Sequence, residues 1–519
     1  MFPLAPVSRT TGLFALCLAA MLALAMIRAG GHLMYTLDDP YIHLAVAENL
    51  SRGVYGINLE EHSSPSSSAI YPFLLAIGLW AGMGSAAALA WNIIPMAVAV
   101  YVFAACVQTH ALPGALRGWR GVALALLMLA PLNAVALPLT GMEHALHVMV
   151  SALIIAGLIV LAQTGRAPWW LVAAIMVNPL IRFEGLALSG MAALALMYAG
   201  SWRAGLLAGA GAVAGVAAFA GFLLWLGLPP LPSSVLMKSA LAARATQATP
   251  ETAGQLLAVI GKTNLSYGKA VLIALAVLCA AALFTRDRAE RRKRIIVGGA
   301  ATGALMGHLA AGDYGWFGRY EVYAVTLGLM ALAYVWGPRL RKLAPETAAL
   351  IVGAALAACS LQYARPVLLT PAAAQNIYDQ QRQMGRFATD YFPHPVAVND
   401  LGWVAYRNDA FVLDLWGLGS NEVRRLRQAN AFDRAAIARA AEERGIVFAM
   451  VYDAWFAKGL PDHWRRVAQL RTDAVSAAEP TVAFYLLDPA RAGEMAAALA
   501  RFRETLPKGA TLEIDAPQP

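Results

Sequence analysis

Blocks of alanine, leucine, valine and glycine, most of them about twenty residues long, follow one another from residue 10 to residue 366 with only short polar breaks. A helix needs about twenty apolar residues to cross a hydrocarbon layer ~30 Å thick. The blocks predict about eleven spans, near 11–28, 86–109, 121–138, 144–163, 168–181, 185–200, 205–226, 268–285, 295–311, 321–336 and 347–364. The run Ala69–Met83 is bracketed by Pro65, Pro72 and Gly84 and has only about fifteen residues. That length suits an interfacial or re-entrant helix rather than a span. Beyond residue 366 the pattern changes: short apolar runs alternate with charges. Strands are predicted near 396–399, 411–415, 447–452 and 482–487, and helices near 375–391, 432–444 and 490–504. The expected fold is an α-helical polytopic membrane domain, residues 1–366, followed by a soluble α/β domain, residues 367–519. The first outer loop, 29–85, carries juxtamembrane helices.

Composition agrees with that division. Of the 519 residues, 59% are hydrophobic and 14% charged, too apolar for a soluble fold. The net charge of +9 raises the question of nucleic acid, but its location excludes that reading. Residues 1–366 hold 23 Lys and Arg against 13 Asp and Glu, whereas the tail holds 17 against 18. The excess therefore lies in short loops between spans, where basic residues mark the cytoplasmic side. Arg9, Arg120, Arg166, Arg203, the run Arg286–Arg294 and Arg339–Lys342 then share that side, the N-terminus is cytoplasmic, and an odd number of spans leaves the tail outside. A cleaved signal peptide is the competing reading of residues 11–28. The four cysteines fall inside apolar blocks, and no C-x-x-C spacing occurs.

On this topology, ionisable residues gather at the outer face: Asp38 and Asp39 after the first span, Glu143, Arg182 and Glu184, Lys238 in the long outer loop, and Asp313, Arg319, Tyr320 and Glu321 between spans nine and ten. Charges at a membrane boundary are costly unless paired or hydrated, so their recurrence on one side marks a shared site. Each also has a plainer reading. Asp39 before Pro40 suits a helix cap, Glu143 a carboxylate favoured by a helix dipole, and Arg182 with Glu184 a structural ion pair. Lys238 suits a snorkelling side chain and Arg319 a member of an aromatic belt. His144 and His147 read as polar helix-end residues rather than a metal pair.

The stretch LDDPYIHLAVAENLSRGVYGIN, followed by TGMEHAL, IRFEGLAL, FGRYEVYA and the tail segment VAVNDLGWVAYRNDAFVLDLWGL, resembles in its order the GT-C glycosyltransferases. Within them it looks like the mycobacterial arabinofuranosyltransferases; Phe183 departs from that group, which often has proline there. The resemblance implies a sugar donor on polyprenyl phosphate and an acceptor hydroxyl of a cell-envelope glycan or glycolipid at the outer face of a bacterial inner membrane. Asp38 would be the general base and Asp39 would orient the acceptor or stabilise the cationic ring. Arg319, Lys238 and Arg182 would hold the phosphate, with Tyr320, Glu143, Glu184 and His43 lining the substrate site. No cofactor is expected; a divalent metal is used by some GT-C enzymes but is not favoured by a single acidic pair. A transporter or lipid-linked glycan flippase is the alternative, although it usually shows midplane ionisable groups and repeat symmetry.

Overall fold

The computed structural model describes residues 4–112, 118–238, 266–456 and 459–515, apart from the side chains of 4–7 and 238. Every apolar block is helical. Among the described residues, seven helical stretches are long and apolar enough to cross a membrane: Ser8–Arg28, Ala86–His110, Gly118–Thr140, His144–Thr164, Trp202–Trp225, Arg288–Ala311 and Pro345–Tyr391. Trp169–Ile181, Gly185–Tyr198 and Tyr267–Ala281 are shorter apolar helices, and Val322–Leu340 has 19 residues. Large apolar side chains such as Leu16, Leu207, Trp225, Val277 and Leu350 point outward from these helices, as expected where lipid replaces water. Small residues bring helices close: an added Cβ at Gly307 or Gly303 would collide with Ala187 or Met191 on the neighbouring helix. The chain is a polytopic helical membrane protein with a C-terminal α/β domain.

Two helices differ from their expected forms. The third span is regular only over Gly118–Leu129, then continues through short 3-10 turns at Ala130–Leu132 and Leu137–Thr140. Pro131 and Pro138 lack the amide hydrogen that a regular helix uses, and Asn133 adopts left-handed backbone at φ 46°. The last long helix, Pro345–Asp379, passes through residue 366 without a linker. Its 35 residues span roughly 50 Å, so one rod joins the membrane bundle to the tail.

The first outer loop folds as the helices Asp39–Leu50 and Tyr71–Trp80, packed on each other. The tail is a six-stranded mixed sheet: β1 (Val396–Val398), β2 (Val412–Asp414), β3 (Phe448–Val451), β4 (Arg465–Thr472), β5 (Thr481–Leu486) and β6 (Ala510–Ile514), in the order β2-β1-β3-β5-β4-β6. β2, β1 and β3 are parallel; the β3–β5, β5–β4 and β4–β6 pairs are antiparallel. β4 and β6 escape the sequence pattern because they are half-covered: within β4 only Ala468 and Leu470 are buried, among exposed arginines.

Tail and first outer loop are fastened together. Asn58 donates to the Val412 carbonyl at 3.0 Å and accepts from the Val412 amide at 2.8 Å, pairing with the edge of β2 as a strand would. Arg444 meets Glu61 at 2.7 Å, and Tyr41 packs on Trp403 with ring centroids 4.3 Å apart.

Candidate active site

The carboxyl ends of the three parallel strands face the membrane bundle. Asn399, Asp400 and Leu401 follow β1, Trp416 and Leu418 follow β2, and Tyr452 and Trp455 follow β3. In open α/β sheets this is the end where ligands bind. Here most of those residues roof a cavity of about 280 Å³ whose floor is Leu37, Asp38, Asp39, Ile42, Arg319 and Tyr320. Gln381, Trp316, Ile377, Ser476 and Ala478 complete its walls. The Ser476 loop is held by Asn376 on the long connecting helix, whose side-chain oxygen accepts three consecutive amides, Val475 to Ala477.

Asp38 sits at the junction of the two domains, 7% exposed. One carboxylate oxygen accepts the Gly402 amide at 2.6 Å and the other the Trp403 amide at 2.9 Å. Only glycine fits at 402: a Cβ there would fall on the Asp38 backbone oxygen and within 2.6 Å of its carboxylate. Asp400 reaches Asp38 from the tail side and accepts hydrogen bonds from Gln381 and from the Tyr452 hydroxyl, each at 2.9 Å. Burial raises the pKa of both carboxyls, and for Asp38 the charge of Asp400 adds to it. The pair thus holds on to a proton above the ordinary carboxylate range.

The expected cap is a correction. The helix begins at Asp39 with Asp38 at the cap position, and the Asp38 side chain does not cap it. Asp39 instead turns to Arg319, Nη2 to Oδ2 at 2.7 Å. The Arg319 loop is conformationally special: Gly315, Trp316, Phe317 and Gly318 all have positive φ, at 77°, 44°, 61° and 60°. Non-glycine residues there cost energy and persist only where the surroundings fix them. Glu321 accepts the Gly315 amide at 3.0 Å, and Asn133 donates to the carbonyls of Phe317 and Gly318. Asn133, which in the sequence looks like an isolated packing residue, pins the loop. Arg319 is 3% exposed, and its Nε and Nη1 have no hydrogen-bond partner within the protein.

Tyr320 links this centre to a second. Its ring lies under both guanidinium groups, 5.0 Å from Arg319 and 5.5 Å from Arg182. Arg182 forks to Glu143 and Glu184, both at 2.6 Å. Glu143 also accepts from Ser67 at 2.9 Å and faces His43 at 3.8 Å, while His43 contacts Ser66 at 3.0 Å. Burial opposes ionisation of both glutamates, but the guanidinium outweighs it, holding Glu143 below its usual range and Glu184 down to about 2. Asp38, Asp39, Arg319 and Tyr320 therefore line the cavity, while Arg182, Glu143, Glu184 and His43 form a buried network behind it. The side chain of Lys238, at the end of the helix Ser233–Lys238, lies outside the described residues. Among the described residues no three His, Cys, Asp or Glu side chains stand close enough to hold a metal.

The buried network carries a stability prediction. Replacing Arg182 with alanine strands Glu143, whose side chain is fully buried, and breaking such a pair from one side costs about 3–5 kcal/mol. A markedly lower unfolding midpoint of Arg182→Ala in detergent is expected; the double change Arg182→Ala with Glu143→Gln should recover part of the loss.

A family model described as a domain of unknown function (DUF8728) matches residues 375–485. No curated protein matches the chain significantly. Two crystal structures of ArnT from Cupriavidus metallidurans resemble it, each over 92% of this chain and 98% of theirs at 13% identity: the apo form with a TM-score of 0.48 and the form bound to undecaprenyl phosphate with 0.46. The archaeal oligosaccharyltransferase AglB from Archaeoglobus fulgidus, in complex with an inhibitory peptide and a dolichol-phosphate, resembles it over 96% of this chain and 75% of its own at 12% identity, with a TM-score of 0.42.

Proposed function

We propose that this protein is an inverting glycosyltransferase. It moves a sugar from a polyprenyl-phosphate donor to a hydroxyl of a cell-envelope glycan or glycolipid at the outer face of a bacterial inner membrane. The observation that carries this reading is the cavity between membrane domain and tail, with the Asp38 carboxylate and the buried, incompletely partnered Arg319 in one wall. A hydroxyl attacking an anomeric carbon needs a base, and a departing phosphate needs fixed cations but no acid.

In this mechanism Asp38 takes the proton of the acceptor hydroxyl. Each of its oxygens receives one amide and keeps a second lone pair for that purpose. Arg319 offers Nε and Nη1 to the phosphate as negative charge grows on it. Asp39, ionised against Arg319, steadies the guanidinium and faces the positive ring of the transition state. Lys238 serves as a further phosphate ligand. Arg182 acts at one remove, through Tyr320. Trp416, Trp455 and Trp316 supply flat apolar faces suited to sugar rings. Arabinofuranose is the first sugar to test, because the acidic loop and the late Arg-Tyr segment look like those of arabinofuranosyltransferases.

The test supplies purified protein in detergent with a panel of polyprenyl-phosphate sugars and short glycan acceptors, and follows released polyprenyl phosphate. Release with at least one donor, unaffected by EDTA, is expected. Absence of release from every donor would overturn the reading, and activity restored only by a divalent ion would overturn metal independence.

A further inference from the structure

The tail domain does more than cover the cavity: it inserts a carboxyl, Asp400, beside Asp38. Asp400 lines the same cavity, so it can meet the acceptor directly. Its surroundings are built to hold it there. Gln381 Nε2 and the Tyr452 hydroxyl each lie 2.9 Å from Oδ2, and the same hydroxyl, with a single hydrogen to give, also lies 2.6 Å from the Gln380 side-chain oxygen. Gly402 and Trp403, two and three residues further on, grip Asp38. One turn of the tail therefore fixes the Asp38 carboxylate and delivers its neighbour. Nothing in a merely protective lid requires a second carboxyl, half-buried, against the first, since like charges in contact destabilise docking until they share a proton.

We propose that Asp38 and Asp400 form a single two-carboxyl base, assembled only when the tail domain is docked, with Asp400 as a catalytic residue of the acceptor side. This rests on the glycosyltransferase reading above. In the step, the acceptor oxygen bonds to the anomeric carbon while the bond from that carbon to the phosphate oxygen breaks. The bonding pair leaves with polyprenyl phosphate, and the hydroxyl proton passes to the pair, which carries two negative charges before the step and one, with the proton shared, after it. A proton shared between two carboxylates is held more tightly than one on an isolated, amide-bound carboxylate, which matches the base to neutral conditions. The charged and titratable groups facing the pair are Asp39 and Arg319 across the cavity, Tyr41 from the helix below and Tyr452 from the tail.

The test begins with infrared difference spectra of detergent-solubilised wild type, Asp38→Asn and Asp400→Asn, titrated from about pH 9 down to about pH 5. A carboxylic-acid carbonyl band is expected to appear at higher pH in wild type than in either single variant, because removing one partner removes the like charge that favours protonation. A wild-type band that appears at no higher pH than in either variant would overturn the shared proton. With an active donor, Asp400→Asn should lower kcat roughly a hundredfold and move the acidic limb of the kcat profile to lower pH, with Asp400→Glu restoring part of both. An unchanged limb and rate in Asp400→Asn would overturn the catalytic role. A wild type inactive on every donor would count against glycosyl transfer, while the spectra still decide whether the pair exists.

Discussion

Asp38→Asn is expected to reduce transfer by about 10²–10⁴-fold, the range associated with a lost general base. The substitution changes two things. It removes the proton acceptor, and it sets an amide NH2 against the backbone N–H of Gly402 or Trp403, both of which now donate to the carboxylate. Leaving one such buried donor unpaired costs about 1–3 kcal/mol, so some loosening of the tail accompanies the kinetic loss. Gly402→Ala separates the effects. It keeps the Asp38 carboxylate but drives a methyl group against it, so kcat should fall although the base is chemically intact. Steady-state release of polyprenyl phosphate, with unfolding midpoints measured in parallel, checks both variants. If Gly402→Ala were fully active, the clamp would have no part in catalysis.

Arg319 gives the second large effect. Its Nη2 is committed to Asp39 and Tyr320, while Nε and Nη1 remain buried and open. Replacing it with glutamine should lower kcat/KM for the lipid donor by about 10²–10³-fold, as expected when a charged donor to a developing anion is removed. Arg319→Lys should recover little. One ammonium cannot hold Asp39, stack on Tyr320 and present two parallel N–H groups to a phosphate. Donor titrations of both variants provide the check, and a lysine variant with wild-type kcat/KM would show that charge alone matters.

Much of the membrane part is readable from the sequence because its cause is local. A lipid-facing helix needs a continuous apolar run, and the runs are visible without any tertiary information. The acidic pair is visible for the same reason, since two carboxylates beside a span need explaining. What the two do is not visible. Asp39 before Pro40 is a good local cap, yet tertiary pairing with Arg319, 280 positions away, takes its side chain. The pairing of Asp400 with Asp38 carries no local signal either. Asp400 stands in a turn after a three-residue strand, and its significance comes from contact with Asp38 across the chain. Asn133 is a similar case, because an isolated polar residue near a span gives no hint of the loop it pins. The order of Asn399-Asp400 after β1, Trp416 after β2 and Trp455 after β3 did hold a usable sign. A strand followed by polar or aromatic residues, repeated three times, fits the carboxyl end of a parallel sheet, the side where such folds bind ligands.

The most direct measurement of the central claim is the rate and stereochemistry of polyprenyl phosphate release by wild type and Asp38→Asn, with one active polyprenyl-phosphate sugar and its acceptor. The cavity chemistry predicts release coupled to a product of inverted anomeric configuration in wild type and a rate lower by at least about a hundredfold in the variant. Retained configuration, or wild-type turnover by Asp38→Asn, would contradict it.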